Sequence, residues 1–436
     1  MEATINFIGE QVIRAIDILG EKTIFLFGIM VQSFKELEAY NRLVAVLLTA
    51  IITIGAVNWT IWLIRRTRAI FYKPFKGEYN ATTSVIVPIY KEKEHILIET
   101  VDSILKNNPT EVILILDETE KKSMELIKTK YGRNSKVQAY FVDVPGKRPS
   151  LAEGMKKAKG EIVVLVDSDT QWIGENFLKK LLIPFQDPKV GGVGTRQRVR
   201  ERNTWARVMI DWILDIKYSN FIPSDSLSGS VLCLSGRTAA YRREAVIPQL
   251  PRLVNDYFLW HKSLGGDDAR LTTLVLQQGY RTVYQDNCIA ESDFDPRISV
   301  YLKQKIRWSR NSFRTYLKSI FSFWPWKQRR FYYLMSAYHT IVPGLTIVLS
   351  LFVLLNLILL QMYAFSVIWI IWAFISRGIK NYTHLRKRPS DIYLFPVIVF
   401  YYYILSFIKV YAFFTLTKES WAGSRKGYKI KKGNRV

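Results

Sequence analysis

Long uncharged runs constrain the fold of this 436-residue chain more than any other feature of its sequence. Residues 43–64 form a run of 22 residues without a charged side chain, and about 20 apolar residues are enough for a helix to cross a bilayer. Further apolar runs cover residues 331–360, 362–376 and 392–416. Residues 65–330 are charged and mixed in composition. The pattern therefore predicts an integral membrane protein with a large water-soluble domain.

The net charge of +25 is better explained by an anionic membrane surface than by nucleic acid. Arg65, Arg66, Arg68, Lys73 and Lys76 follow the first apolar run directly. Basic residues next to a membrane span mark the cytoplasmic side. We therefore expect a multi-pass protein of the plasma membrane with a cytoplasmic soluble domain. Membrane lipids are expected partners, and nucleic acid is not.

The apolar segments nearest the two ends of the chain each allow more than one membrane topology. Residues 5–33 are apolar, but charged residues interrupt them, so this stretch is predicted to be an amphipathic interfacial helix or a second membrane helix. It lacks the basic start of a cleaved signal peptide. The run 392–416 separates two basic segments that both belong on the cytoplasmic side. We expect this run to be re-entrant or strongly tilted. A re-entrant segment broken at Pro396 or an interfacial helix would account for it.

Strand-like and helix-like segments alternate from residue 83 onward, which is typical of a mostly parallel sheet covered by helices. Polar clusters follow four predicted strands, at residues 90–92, 117–118, 146–148 and 167–169. The carboxyl ends of parallel strands meet at one edge, where α/β proteins bind ligands. The chain contains neither the glycine pattern of dinucleotide-binding folds nor that of phosphate-binding loops.

Several residues at this edge have chemistry suited to a charged substrate, although each also has a structural interpretation. Asp167 and Asp169 could hold a divalent cation against a diphosphate, or form an ordinary turn. Lys147 could bind the diphosphate or lie in a solvated basic turn. Asp117 could contact a nucleobase or ribose, and capping of the next helix is slightly favoured. Asp268 could be a general base or a helix N-terminal acid.

The remaining candidates concern aromatic residues and possible metal ligands. Trp308, beside Arg307, offers a flat surface for a sugar ring, whereas the neighbouring cations are more simply explained as contacts with the membrane surface. The two cysteines and four histidines are scattered, so neither a disulfide framework nor a zinc site is expected.

The order of eight motifs resembles the processive family 2 membrane glycosyltransferases, a group that includes the hyaluronan synthases and the streptococcal type 3 capsule synthase. The resemblance covers about residues 83–426. The motifs are Val-Pro-Ile-Tyr-Lys-Glu (87–92), Pro-Gly-Lys-Arg (145–148), Val-Asp-Ser-Asp-Thr (166–170), Gly-Gly-Val-Gly-Thr-Arg-Gln (191–197), Cys-Leu-Ser-Gly-Arg (233–237), Gly-Asp-Asp-Ala-Arg-Leu-Thr (266–272), Gln-Lys-Ile-Arg-Trp (304–308) and Trp-Ala-Gly-Ser-Arg-Lys (421–426).

The resemblance implies an α/β GT-A domain, Rossmann-like with a mostly parallel sheet, joined to transmembrane helices through amphipathic interface helices. It implies UDP-sugar donors, a nascent polysaccharide as acceptor, Asp268 as the catalytic base, and Mg²⁺ or Mn²⁺ held by Asp167 and Asp169. The implied nucleotide-sugar ligands are Tyr90, Glu92, Asp117, Lys147, Arg148 and Asp167, with Trp421 and Arg425 in a C-terminal gating segment. The implied acceptor-binding residues are Ser235, Gly236, Arg237, Asp267, Gln304, Arg307 and Trp308.

The sequence departs from the family pattern in four segments. Glu118 stands where a second Asp or a Gly is usual, and Arg237 stands where hyaluronan synthases have proline, which weakens a hyaluronan assignment. Lys305 replaces the second glutamine of the Gln-Gln-x-Arg-Trp motif. Ala422 is inserted in the C-terminal motif, and Ser424 replaces its threonine.

These observations give a domain plan and a function to test. The predicted segments are an N-terminal helix (1–40), a transmembrane helix (41–64), the GT-A domain (65–295), interfacial helices (296–330), C-terminal transmembrane or re-entrant helices (331–416) and a basic cytosolic tail (417–436). The expected function is processive, inverting polymerisation of UDP-sugars into an extracellular or capsular polysaccharide, which the resemblance implies is hyaluronan-like or of the glucose/glucuronate type. The product would be secreted through the protein's own membrane channel. Single sugar transfer to a membrane lipid is the alternative enzyme, and a transporter with a nucleotide-sensing domain is the alternative from another class.

Overall fold

The computed structural model describes residues 39–144 and 146–418, which hold a mixed α/β domain and several long apolar helices. The strands are β1 (Thr83–Ile89), β2 (Glu111–Asp117), β3 (Val137–Val142), β4 (Ile162–Val166), β5 (Thr170–Trp172), β6 (Val190–Val199), β7 (Thr238–Arg242), β8 (Tyr257–Phe258), β9 (His261–Lys262) and β10 (Arg281–Ser292). The helices are α1 (Ala39–Phe71), α2 (Glu94–Leu105), α3 (Lys121–Tyr131), α4 (Lys147–Lys157), α5 (Phe177–Leu182), α6 (Trp205–Ile216), α7 (Ile222–Leu227), α8 (Arg243–Val246), α9 (Leu250–Val254), α10 (Asp267–Gln277), α11 (Ile298–Phe321), α12 (Trp324–Gln328), α13 (Arg330–Leu359), α14 (Tyr363–Lys387) and α15 (Phe395–Phe414).

Eight strands form one sheet in the order β3-β2-β1-β4-β7-β6-β10-β5. The first four are parallel to one another, as the alternation of strands and helices predicts. β7 runs antiparallel to both of its neighbours, and β5 runs antiparallel to β10. The parallel half of the sheet brings the ends of β1, β2 and β4 to a single edge.

Both faces of the sheet are covered, which gives two hydrophobic cores. Successive side chains of a strand point to opposite faces, and β1 follows this rule. Ile86 packs into the core that contains α4, α6 and α10. Val85 and Val87 pack into the other core, which contains α2, α3 and α5. These strands are buried on both sides, so they have nearly continuous apolar sequences.

Close packing fixes α4 against the sheet. A side chain at Gly154 would place its Cβ 2.5 Å from Cγ2 of Ile86 and 3.2 Å from Cγ1 of Ile115. Only a glycine allows this approach of helix and strand. The helix begins at Lys147, so Pro149 lies in its first turn. Proline is tolerated in the first turn of a helix, where no N–H is needed.

Within residues 39–144 and 146–418, four helical segments are long and apolar enough to cross a membrane: Ala45–Phe71, Arg330–Leu359, Tyr363–Lys387 and Pro389–Phe414. The break expected at Pro396 is wrong, because this proline lies in the first turn of α15 and the helix continues to its end. Twenty residues of α-helix span about 30 Å, so α15 is long enough for a full crossing.

The described residues divide into two compact units. One consists of the helical residues 39–59 and 348–370, where Ile51, Val353 and Leu357 form a small apolar cluster. The other consists of residues 60–347 and 371–418 and contains the sheet.

Polar contacts within the larger unit attach its apolar helices to the α/β domain. Arg65 donates to both carboxylate oxygens of Asp225, at 2.7 and 2.9 Å, and is almost fully buried. Trp212 donates from Nε1 to Oδ1 of Asn381 at 2.7 Å and stacks on the ring of His384. Arg65 was expected to face the membrane surface, but burial with Asp225 gives it a structural role.

The helix α11 holds the end of α15. Arg310 donates to the hydroxyl of Thr415 at 3.0 Å. Arg314 donates to the carbonyl oxygens of Leu416 and Lys418, at 2.8 and 3.0 Å. The predicted N-terminal helix (1–40) and the basic tail lie almost entirely outside the described residues.

Candidate active site

The polar clusters predicted at the strand ends meet at the carboxyl edge of the parallel strands. Ile89 of β1 pairs with Leu116 of β2. The residues that follow them in sequence, Tyr90 and Asp117, therefore lie at the same edge of the sheet. Asp167 follows the last residue of β4, the strand on the other side of β1. This edge is where an open α/β sheet binds its ligand.

Lys147 connects two acidic groups in the site. Its Nζ lies 2.6 Å from Oδ1 of Asp167 and 3.3 Å from Oδ2 of Asp267. Burial alone would lower the pKa of Lys147, but these two carboxylates and that of Asp268 hold it above its usual value. Gly236 leaves room for this ammonium group, because a Cβ there would lie 3.0 Å from Nζ. Lys147 therefore stays charged in the centre of the site.

The Asp167-Ser168-Asp169 turn is held in place by neighbouring side chains. Ser168 donates from its hydroxyl to Glu92 at 3.1 Å, and Thr100 donates to the carbonyl oxygen of Ser168 at 3.0 Å. Burial and then the charge of Asp167 raise the pKa of Asp169 to about 6. A cation bound between the two carboxylates would stabilise the charged form of Asp169.

Asp267 and Asp268 form the first turn of α10. Burial alone would raise the pKa of Asp267, but Lys147 and Arg148 lower it below its usual value. Burial and the neighbouring charge of Asp267 raise the pKa of Asp268, whose carboxylate also interacts with the thiol of Cys233. Together with Lys147, Asp167 and Gly236, these two acids line one cavity. The cavity therefore contains the cation of Lys147, the carboxylate of Asp267, whose pKa is lowered, and the carboxylate of Asp268, whose pKa is raised.

The predicted acceptor residues on α11 lie close to the Ser235–Arg237 segment. The guanidinium of Arg237 lies 5.7 Å from the ring centre of Trp308, and the backbone of Arg237 accepts from the N–H of Asp167 at 3.3 Å. The Nε of Arg307 is buried and has no hydrogen-bond partner among the described residues. Gln304 lies one turn before Trp308 on the same helix. This surface is connected to the Asp167 turn through the backbone of Arg237.

Two predicted nucleotide ligands make structural contacts. Asp117 accepts from the N–H and the hydroxyl of Thr119, at 3.0 and 2.7 Å, which closes the turn before α3. Arg148 is buried and donates to Asp256 and to the carbonyl oxygens of Leu253 and Gly265. These contacts direct its guanidinium into the protein.

Three polar residues near the site have no role predicted from the sequence. Asp256 is buried and pairs with Arg148, Arg270 and Lys318. Nothing in the sequence around Asp256 indicates its burial or its ion pairs, because its three partners come from other segments of the chain. Cys233 and Lys305 lie inside recognised motifs and were not assigned a role, although their positions could have suggested one. Trp421 and Arg425 lie outside the described residues.

Comparison with known proteins identifies the family and supports the fold. Residues 81–311 match the family described as glycosyltransferase-like family 2. The hyaluronan synthase of Streptococcus pyogenes is 30% identical over 391 residues, which cover 85% of this chain and 90% of that protein. An N-acetylglucosaminyltransferase from Azorhizobium caulinodans is 32% identical over 53% of this chain and 59% of its own length.

A solved structure has a similar fold. A mannosyltransferase from Pyrobaculum calidifontis, determined with GDP-mannose and Mn²⁺, superposes with a TM-score of 0.58 at 20% identity. The match covers 83% of this chain and 98% of that one. The expected GT-A fold is confirmed, and the chain belongs to glycosyltransferase family 2.

Proposed function

We propose that this protein is a processive, inverting β-glycosyltransferase that polymerises UDP-sugars into an extracellular polysaccharide and secretes it through its own membrane channel. The observation that carries the proposal is the cavity in which Lys147 bridges Asp167 and Asp267 beside Asp268. The ammonium group of Lys147 in this cavity is suited to bind a diphosphate, and the buried carboxylate of Asp268 is suited to accept the proton of a sugar hydroxyl. The likeness to hyaluronan synthases supports a polysaccharide as the product.

Asp167 and Asp169 are suited to hold Mg²⁺ or Mn²⁺. Their oxygen donors match hard cations, and a cation bound beside them would oppose the burial and the charge of Asp167 that raise the pKa of Asp169 to about 6. Among the described residues no group of three or more acidic, His or Cys side chains is arranged for a metal. Two carboxylates suffice for Mg²⁺, because substrate phosphates and water complete its coordination. When bound, the cation would neutralise charge on the departing diphosphate.

Asp268, Lys147 and Asp267 have different roles in the sugar transfer. Asp268 takes the proton of the acceptor hydroxyl, whose oxygen attacks the anomeric carbon from the side opposite the nucleotide. The bond from that carbon to the diphosphate oxygen breaks, and an α-linked donor becomes a β-glycoside. Lys147 stabilises the negative charge that develops on the leaving UDP. Asp267, whose pKa is lowered, keeps Lys147 in position.

Donor and acceptor would occupy different parts of the site. Tyr90, Glu92 and Asp117 lie at the strand ends where the uridine is expected. Arg148 would act indirectly, by fixing the first turn of α4 through Asp256. Ser235 and Gly236 would border the acceptor end, and Gln304, Arg307 and Trp308 would hold it.

Two features of the structure support repeated addition. Trp308, the proposed acceptor platform, is on α11, and the same helix holds the carbonyl oxygens of Leu416 and Lys418. Residues 416–418 are therefore held against the acceptor helix, and we propose that Trp421 and Arg425 belong to the gating segment. The four long apolar helices would supply the route for the polymer across the plasma membrane, with the catalytic domain in the cytoplasm.

Release of UDP by the detergent-purified protein would test this function. UDP-sugars are supplied singly and in pairs, with Mg²⁺ or Mn²⁺ and with EDTA as a control. We expect sustained, metal-dependent release together with a high-mass product. A requirement for two donors would identify a heteropolymer. Release only after a lipid acceptor is added would instead support single transfer to a lipid, and absence of release with any UDP-sugar would contradict both.

A further inference from the structure

The carboxylate of Glu120 joins two loops at the edge of the sheet where the uridine is expected. Its Oε1 atom accepts from the backbone N–H of Lys91 at 3.0 Å, and its Oε2 atom accepts from the hydroxyl of Ser123 at 3.0 Å. Lys91 belongs to the loop after β1, whereas Glu120 ends the loop after β2. One side chain therefore ties the two loops together.

Helix capping does not explain this contact. Glu120 directly precedes α3, a position from which a side-chain oxygen commonly accepts from an N–H of the first turn. Among the described residues, the Glu120 side chain makes no such bond with the backbone of α3. Its carboxylate lies instead against the loop after β1, a segment about 30 residues earlier in the chain.

The residue that Glu120 binds has an unusual backbone conformation. The φ angle of Lys91 is +53°, in the left-handed region that is unfavourable for residues with a Cβ and free of steric cost only for glycine. Such a conformation persists where the surrounding contacts compensate for it. The N–H of Lys91 donates to a carboxylate, and this kind of charge-assisted hydrogen bond is stronger than one between neutral groups.

Lys91 lies between two of the proposed nucleotide ligands, Tyr90 and Glu92. Its ammonium group lies 5.3 Å from the ring centre of Tyr90. Glu92 accepts from the hydroxyl of Ser168 at 3.1 Å, and Ser168 is the middle residue of the turn that carries the proposed metal ligands. A change of the Lys91 backbone would therefore move the aromatic ring relative to the carboxylate and to the metal turn.

We propose that Glu120 is a positioning residue for the nucleotide, which holds Lys91 in the left-handed conformation and so sets the relative position of Tyr90 and Glu92. This inference rests on the proposed function, in which these two residues bind the uridine. In this role the carboxylate of Glu120 contacts protein and not the reacting sugar. Its loss should therefore weaken nucleotide binding and raise the KM for UDP-sugar, while kcat stays almost unchanged.

Calorimetric titration of the detergent-purified full-length protein with UDP and Mn²⁺ tests this role. Glu120→Ala should weaken UDP binding about tenfold, the loss expected for one hydrogen bond to a charged group. The KM for UDP-sugar should rise by a similar factor, and UDP release at saturating donor should keep nearly the wild-type rate. Glu120→Gln retains an oxygen that can accept from Lys91, so it should restore most of the affinity.

A second substitution distinguishes positioning of the backbone from a direct effect of the Glu120 charge on UDP. Glycine adopts a positive φ without steric cost, so in Lys91→Gly protein the loop depends less on Glu120. Adding Glu120→Ala to this variant should weaken UDP binding by a smaller factor than it does in the wild type. A direct charge effect would give equal losses in the two backgrounds, because independent contributions add.

Glu125→Ala is the matched control, because Glu125 is an exposed acid on the same helix. It should leave the affinity for UDP unchanged. Unchanged UDP affinity in Glu120→Ala, an equal loss in Glu125→Ala, or a fall in kcat at constant KM would overturn the proposal. Equal losses with and without Lys91→Gly would also overturn it.

UDP release from paired UDP-sugars, measured on the same preparation, separates this proposal from the proposed function. If the wild type sustains release and Glu120→Ala binds UDP as tightly as the wild type, the positioning role alone is overturned. Absence of release by the wild type with every UDP-sugar would contradict the polymerase function, whatever the variants bind. Failure of the wild type to bind UDP with Mn²⁺ would contradict both.

Discussion

Asp267 and Asp268 are adjacent in sequence, but their surroundings shift their pKa values in opposite directions. Lys147 and Arg148 lower the pKa of Asp267, whereas burial raises that of Asp268. Such divergence separates a group that stays ionised from one that can accept a proton. The neighbouring sequence alone shows two acids at a helix start. The difference between them depends on Lys147, which lies about 120 residues away along the chain.

Substitution of the proposed base gives the first prediction at the level of single residues. Asp268→Asn should lower the rate of UDP release by about 10²–10⁴-fold, the usual contribution of a general base. UDP should still bind with metal, because the residues proposed to hold the diphosphate are unchanged. Radiometric transfer assays and calorimetry with UDP measure the two properties. Turnover close to the wild-type rate would remove Asp268 from this role.

The pH dependence of the rate gives a second prediction. A general base works when deprotonated, so the rate should fall as the pH decreases through the pKa of Asp268. Because burial and Asp267 raise this pKa, the acidic limb should lie above the usual carboxyl value of about 4. Asp267→Asn removes one of these causes and should move the limb to lower pH. A limb that stays in place in this variant would contradict the assignment.

At the level of elements, the sequence predicts the parallel strands and the convergence of their polar ends. It does not predict how the surrounding helices are fixed. The family resemblance implies that Arg148 is a nucleotide-sugar ligand, yet its guanidinium is buried and donates to Asp256. Likewise, Pro396 was expected to break a helix because proline lacks an N–H, but the structure places it in the first turn, where none is required. Both errors arise because a residue's environment is set by distant segments.

Asp256 provides a prediction at this scale, because it joins α4, α10 and α11. Its carboxylate is buried and pairs with Arg148, Arg270 and Lys318. Asp256→Ala would remove the carboxylate that three cations share and should cost about 3–5 kcal/mol of stability. Thermal unfolding in detergent, compared with the wild type, measures the loss.

The control for this experiment is Glu153→Ala, which removes an exposed ion pair with Lys156 within α4. Such a pair contributes about 0–1 kcal/mol, so the unfolding midpoint should hardly change. Equal effects of the two substitutions would show that Asp256 does not connect these helices.

At the level of the whole molecule, the sequence predicts the division into an α/β domain and apolar helices. It cannot show how many helices cross a membrane, because composition does not distinguish a crossing from a re-entrant segment. The structure gives four helical segments of sufficient length among the described residues.

Secretion can be tested in sealed proteoliposomes supplied with radiolabelled UDP-sugars from outside. Only molecules with an outward-facing catalytic domain can react. We expect most of the labelled polymer to sediment with intact vesicles and to be released by detergent. Polymer that is free in the outer solution before detergent is added would show that synthesis is not coupled to translocation.

The size of the product early in the reaction tests the central claim most directly. Purified protein is incubated with its donors and stopped while most of the UDP-sugar is unused, and the labelled product is resolved by mass. A processive enzyme should yield high-mass polymer at these times with few short chains. A ladder of short products that lengthens together as donor is consumed would contradict the account.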